Sequence, residues 1–432
     1  MQKYSLTKLQ CGLPVVLVPM ASVSSLTALV LVNTGSRYEQ KEKEGIAHFF
    51  EHIVFKGTEN FPTPLDLSST IDAIGAEFNA FTSKEYTGYY VKSASRHLST
   101  SLNVLSDMLL LPSIKQSDID REKGVIIEEI NMYYDNPMSQ VSMLFDQLFF
   151  ADRGLDHDII GSKETVSSIN SQDFEQFLGQ WYGLENLVLI LAGDATVLED
   201  KKTLDLAEKM FTKQPKIKRV AQKAKLDTFF TEPAISDERL IIHEKKTEQA
   251  HLVLGWPGIA RKSEERAVLS VLSVILGGNM SSRLFTEVRE KRGLCYYVRS
   301  EADFYHNTGM VGASAGVDPK RVMEAIKVIR AECEDLATGK NPVTEAELTK
   351  AKEYISGMTV LSLEDSEAVA QYFGTKQLLM DEIETPAEAL EKIQKVTVAQ
   401  VNALAKRIFA EKPRLAVVGP FNEKKEFESL IA

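Results

Sequence analysis

Two apolar patterns alternate along the chain. Short unbroken runs such as LTALVLV at 26–32 and NLVLILA at 186–192 are bounded by polar and turn-forming residues. They read as strands, and they fall far short of the roughly 20 residues that span a bilayer. Longer stretches carry apolar residues at steps of three and four, the period of amphipathic helices. The segment SDIDREKGVIIEEINMYY at 117–134 is one of them, with Ile119, Glu122, Ile126, Glu129 and Tyr133 on a single face. Ser117 with Asp120 reads as a capping box at its start.

The order of these elements repeats. The strand LTALVLV is matched by AHLVLGW at 250–256. The strand–helix stretch at 89–109 is matched by 309–329, and the helix–strand pair at 171–195 by 398–420. All three offsets are roughly 220 residues, the mark of an internal duplication. The expected fold is therefore α+β, with two homologous domains, each a mainly antiparallel sheet covered by helices. The segment between them, KQPKIKRVAQKAKLDTFFTEPAISDE at 213–238, is basic, then proline-containing, without a clear period. It reads as a linker over 216–238, between an N-terminal domain at 1–215 and a C-terminal domain at 239–432.

Composition narrows the field. The 432 residues are 44% hydrophobic and 26% charged, with a net charge of −11. Those values suit a soluble globular protein with no general affinity for nucleic acid or anionic membranes. There is no P-loop, no GxGxxG after a strand and no basic patch. The three cysteines, Cys11, Cys295 and Cys333, are too scattered for a disulfide framework and read as reduced thiols. The N-terminal MQKYSLTKLQ has neither a signal-peptide core nor transit-peptide character, as in a bacterial-type cytoplasmic protein. A mature organellar matrix protein whose presequence has been removed reads the same way.

The candidate chemistry lies at HFFEH, residues 48–52, inside a helix-like stretch that ends at Gly57. On a helix, His48 and His52 stand one turn apart on one face, with Glu51 beside them. Imidazole nitrogens bind zinc at about 2.0–2.1 Å, and an i, i+4 pair suits two positions of a tetrahedron. The plainer alternative is two satisfied core histidines, but burying three polar groups together costs on the order of several kcal/mol unless something pairs them. A catalytic zinc needs a third ligand and an open position. Glu122 and Glu129 point the same way from an apolar stripe, whereas Glu128 lies about 100° round the helix. Glu129 is the expected third ligand and Glu122 an acceptor for a histidine N–H. The alternative is that both carboxylates pair with lysine or arginine. HxxEH is the inverted form of the HExxH zinc-peptidase motif, and Glu51 is placed to serve as a general base toward a zinc-activated water.

At these residues the chain resembles the pitrilysin-type (inverzincin, M16) zinc metallopeptidases, and within them the short-chain branch related to the mitochondrial processing peptidase. The likeness extends through GIAHFFEHIVFKGT and over essentially the whole chain. In that family a third ligand follows seventy-odd residues downstream in a stretch similar to VIIEEI, with a further glutamate seven residues before it; Glu129 and Glu122 match. The segment GAEFNAFTSKEYTGYYV at 75–91 resembles the family's exposed sheet edge, to which substrate adds as a strand, implicating Asn79, Ala80 and Phe81. LGGNMSSRLFTEVREKRGLCYYV at 276–298 resembles the segment bearing an Arg/Tyr pair, here Arg289 and Tyr296, implied to hold substrate carbonyls. The second half has no HxxEH of its own. The resemblance implies one Zn2+ per chain and an endopeptidase acting on short, unfolded or presequence-like peptides in extended conformation. It also implies a dimeric chamber, here a homodimer because both motifs lie in one sequence, with a paralogous partner chain as the other arrangement. A non-catalytic structural or partner subunit of a peptidase-like complex is the competing reading.

Overall fold

The computed structural model describes residues 3–151, 154–215, 217–220, 238–380 and 382–432. The N-terminal half builds a six-stranded sheet in the order β1-β2-β6-β3-β5-β4. Its strands are β1 (Ser5–Lys8), β2 (Pro14–Met20), β3 (Ser25–Val32), β4 (Glu77–Thr82), β5 (Thr87–Ala94) and β6 (Leu187–Asp194). Only β2 and β6 run parallel; every other neighbouring pair is antiparallel. β3 and β6 are the apolar runs of the sequence, and both sit inside the sheet, buried almost throughout.

The C-terminal half repeats this plan. Its strands are β7 (Leu240–Glu244), β8 (Ala250–Pro257), β9 (Cys295–Phe304), β10 (Gly309–Val317) and β11 (Arg414–Gly419), in the order β7-β11-β8-β10-β9. Here β7 and β11 form the parallel pair and the others are antiparallel. Two sheets with one topology, each with a single parallel pair at the same place, are the product of the duplication expected from the sequence.

The compact units do not follow the contiguous division of 1–215 and 239–432. Described residues within 1–130, 157–232 and 360–385 form one unit, and those within 131–156, 233–359 and 386–432 form the other. The reason is that both sheets are apolar on both faces. In the first unit one face packs against helices of its own half, including Phe49, Phe50, Leu102, Leu105 and Phe174. The opposite face, with Val16, Val18, Leu29, Leu31, Val188 and Ile190, is covered by Val369, Ala370, Phe373 and Leu378 of the helix Ser366–Leu379. Gly374 permits the approach, since a Cβ there would stand 2.7 Å from Ile190 Cδ1. In the second unit Val253, Met310, Ala416 and Val418 are covered by Val141, Phe145, Phe149 and Phe150 of the helix Pro137–Phe150. Gly255 makes room there, as a Cβ would lie 2.5 Å from Phe145 Cζ. Each unit thus takes one covering helix from the other half of the sequence. Of the expected linker, residues 216 and 221–237 lie outside the described residues.

Candidate metal centre and active site

The histidine helix is Ile46–Ile53. Gly45 precedes it with φ of 94°, and an added Cβ there would stand 2.5 Å from Ile160 O, so the entry turn requires glycine. The carboxylate of Glu39 accepts the N–H groups of Gly45 and Ala47, each at 2.7 Å, and so satisfies amides that a helix start leaves unpaired. Burial raises the Glu39 pKa, opposed by His157, whose Nε2 lies 3.5 Å away. Phe49, Phe50 and Ile53 enter the core, which leaves His48 and His52 together with ring centroids 4.8 Å apart. The helix ends earlier than the sequence suggests. A tighter turn at Val54–Lys56 follows it, and only then comes Gly57, with φ of 129°.

The second element is the helix Gln116–Asp135. It begins at Gln116, which places Ser117 inside the first turn, and Asp120 Oδ1 accepts from Gln116 Nε2 at 2.8 Å; the expected capping box does not form. Ile119, Glu122, Ile126 and Ile130 are its buried residues. Glu129 is half-buried beside them, while Tyr133 and Glu128 are exposed.

Glu129 reaches both histidines. Its Oε1 lies 3.7 Å from His48 Nε2 and its Oε2 lies 3.3 Å from His52 Nε2. The donor atoms of His48, His52 and Glu129 all lie within 4.8 Å of one another. A tetrahedral zinc with these bond lengths separates its ligand atoms by about 3.3 Å. The spacing and the two-nitrogen, one-carboxylate donor set suit that ion. Burial, with the charge of His52, lowers the His48 pKa to about 4 against the pull of Glu129. His48 Nδ1 is buried with no hydrogen-bond partner among the described residues.

His52 is held differently. Its Nδ1 lies 3.0 Å from Glu122 Oε1, and Glu122 Oε2 is in turn paired with Lys56 Nζ at 2.7 Å. Burial works to lower the His52 pKa, but Glu122 and Glu129 raise it to about 9. Burial likewise works to raise Glu122, and His52 with Lys56 holds it below the usual carboxylate range. With Nδ1–H donated to Glu122, Nε2 is the atom turned toward Glu129, the arrangement that fixes tautomer and ring plane at metal-binding histidines.

Glu51 is not part of this triad. Its Oε2 accepts from Thr82 Oγ1 at 2.7 Å, and burial raises its pKa against that hydrogen bond. Thr82 is the last residue of β4, which is the outer strand of its sheet. Asn79, Ala80 and Phe81 lie on the same strand. Asn79 Oδ1 accepts from Ala80 N at 2.9 Å, and the Phe81 ring lies over Gly88 of β5, where a Cβ would approach Phe81 Cζ to 2.2 Å.

Arg289 and Tyr296 belong to the second unit and are close to each other. The Arg289 guanidinium lies 4.8 Å from the centre of the Phe285 ring and 5.7 Å from that of Tyr296. Tyr296 is 75% exposed at the start of β9. Arg289 stands in a π-helix, Phe285–Glu290, where Lys291 N donates to Thr286 O. Insertions of this kind recur at functional sites and leave no period that a sequence reading could detect.

Sequence reasoning missed Glu39, Lys56 and Thr82. Lys56 carried a signal, four positions after His52 on what reads as the same helix, but as one lysine among many it pointed nowhere. Glu39 and Thr82 act across turns and strands and left no spacing to detect.

A family model described as insulinase (peptidase family M16) matches residues 15–162, and one described as the peptidase M16 inactive domain matches residues 168–355. An uncharacterized zinc protease of Streptomyces coelicolor is 36% identical over 97% of this chain and 90% of its own length. A second, of Bacillus subtilis, is 34% identical over 95% of this chain and 97% of its own. Among solved structures, a protease from Helicobacter pylori superposes with a TM-score of 0.87 at 25% identity, covering 97% of this chain and all 100% of that one. A Pseudomonas fluorescens structure titled as a peptidase M16 inactive domain shares the fold, with a TM-score of 0.86 at 20% identity over 97% of this chain and 98% of its own. With relatives matched end to end at this identity and family models over both halves, the chain belongs to peptidase family M16.

Proposed function

We propose that the protein is a zinc-dependent endopeptidase that hydrolyses short, unfolded peptides in extended conformation. The observation that carries this reading is the convergence of His48, His52 and Glu129 beside a half-buried carboxylate, Glu51, that is not needed as a ligand. His48, His52 and Glu129 would hold one zinc ion per chain, and Glu122 with Lys56 orients His52. Zinc bound there supplies a Lewis acid that lowers the pKa of a bound water toward about 7.

The chain's own residues supply the rest. Glu51, whose Oε2 accepts from Thr82, takes the proton of the attacking water and delivers it to the leaving amine. Burial favours the protonated state of this carboxyl and so readies it to hold that proton between the two steps. The β4 edge at Asn79, Ala80 and Phe81 reads an extended peptide backbone by strand addition. Arg289 and Tyr296 are assigned to substrate carbonyls, supplied in a homodimer by the second copy of the chain.

Hydrolysis of a quenched, unstructured basic peptide by the zinc-loaded protein tests the reading. Cleavage should fall by about 10²–10⁴-fold in Glu51→Gln with zinc content unchanged. No cleavage by wild type with zinc bound would favour the structural-subunit reading, and equal cleavage by both would exclude Glu51 as the base.

A further inference from the structure

Resting on the peptidase reading, we propose that Thr82 is a positioning residue that joins the substrate-reading edge strand to the general base. Glu51 has two chemically equal oxygens and a broad terminal torsion. A base with that freedom presents either oxygen, in many orientations. One contact removes the freedom: Thr82 Oγ1 donates to Glu51 Oε2 at 2.7 Å, which leaves Oε1 as the oxygen able to receive a proton.

The donor is itself well fixed. Threonine is stiff about its first side-chain torsion. Thr82 pairs with Thr87 across the β4–β5 ladder, and the Thr87 hydroxyl is tied to Thr34 O at 2.9 Å. Alternation along β4 puts Phe78 and Ala80 on the face of Thr82, and both pack with the core cluster that contains Phe49 and Phe50 of the histidine helix. On its other side β4 has no neighbouring strand among the described residues. A peptide that adds there straightens and stiffens the backbone over Ala80–Thr82, and the Thr82 hydroxyl passes this ordering to Glu51. Recognition of an extended substrate and orientation of the base then share one strand, and an empty edge leaves the base less well aimed.

The test compares Thr82→Val, which keeps the shape and removes the donor, with Thr82→Ser, which keeps the donor. In the zinc-loaded protein Thr82→Val should lower kcat about tenfold or more with KM within twofold of wild type, and Thr82→Ser should recover kcat to within about threefold. In the metal-free protein, infrared difference spectra against Glu51→Gln should show the Glu51 carboxylate band moved in Thr82→Val and restored in Thr82→Ser. Zinc content and Tm are measured alongside. A Thr82→Val variant with wild-type kcat, a Thr82→Ser variant as slow as Thr82→Val, or loss of zinc in Thr82→Val would overturn the proposal. The peptidase reading fails by a different result: a zinc-loaded wild type that cleaves nothing defeats it and the catalytic coupling together, even where the infrared bands respond to Thr82.

Discussion

His48 and His52 are the same residue type four positions apart, yet their surroundings separate them: one is pushed down to about 4 and the other up to about 9. The helix period made them neighbours, and that was legible in the sequence. The choice of Glu129 over Glu128 was legible for the same reason, since a 100° rotation sends one to the histidines and the other to solvent. The Glu122–Lys56 pair was not, because its worth depends on burial that no local pattern shows. Removing Glu129 as Glu129→Gln should weaken zinc binding by more than about 100-fold, Lys56→Met by about 10–100-fold as an outer support, and Glu128→Gln not at all. Competition against a chelator of known affinity measures all three. Another residue-scale prediction concerns Asp158, whose pKa burial raises to about 6 against Lys84 and His157. The folded chain keeps a proton there that the unfolded chain has lost above its ordinary value of 3.8, so this carboxyl's contribution to stability declines as pH rises from about 4 to 6. Asp158→Asn should therefore leave urea stability at pH 4 nearly unchanged and raise it at pH 7 by up to about 3 kcal/mol. A variant equally stable or weaker at pH 7 would show that Asp158 is not strained in this way.

At the scale of elements, the apolar runs announced β3 and β6 because a strand covered on both faces is apolar at every position. The same runs say that something must cover the second face without saying what. The helix Ser366–Leu379 buries Val369, Ala370, Phe373 and Gly374, but an apolar stripe shows only that a face is covered, not which sheet it meets. That is why the exchange of covering helices was invisible in the sequence while the duplication of the sheets was plain. Gly374 reports on this packing, because side-chain atoms of Ile190 and Leu31 lie 2.7 and 2.8 Å from where its Cβ would be. Gly374→Val should cost about 1–3 kcal/mol by forcing the helix off the sheet. The urea midpoint reads it, and a variant as stable as wild type would mean that the helix is free to shift. Gly357 has nothing within 4 Å of its Cβ position and serves as the control.

For the whole molecule, the exchange means that neither half of the sequence carries a complete fold. The N-terminal half contains the entire candidate metal centre, with His48, Glu51, His52, Lys56, Thr82, Glu122 and Glu129 all before residue 130. Yet Val16, Val18, Leu29, Leu31, Val188 and Ile190 of its sheet are covered from 366–379. A chain ending after residue 215 would leave that face to water, and each large apolar side chain so uncovered forfeits about 1.5–3 kcal/mol. Summed over the face this is comparable to the entire margin of about 5–15 kcal/mol by which a domain is stable. The fragment 1–215 should therefore bind hydrophobic dyes and unfold without a cooperative transition. Appending residues 360–385 through a flexible linker should restore a sharp urea transition, and with it the zinc site, read by metal content after dialysis. Cooperative unfolding of 1–215 alone would show that the histidine-bearing sheet needs only one covered face. If it also kept zinc, the covering helix would be dispensable for the metal centre as well as for the fold.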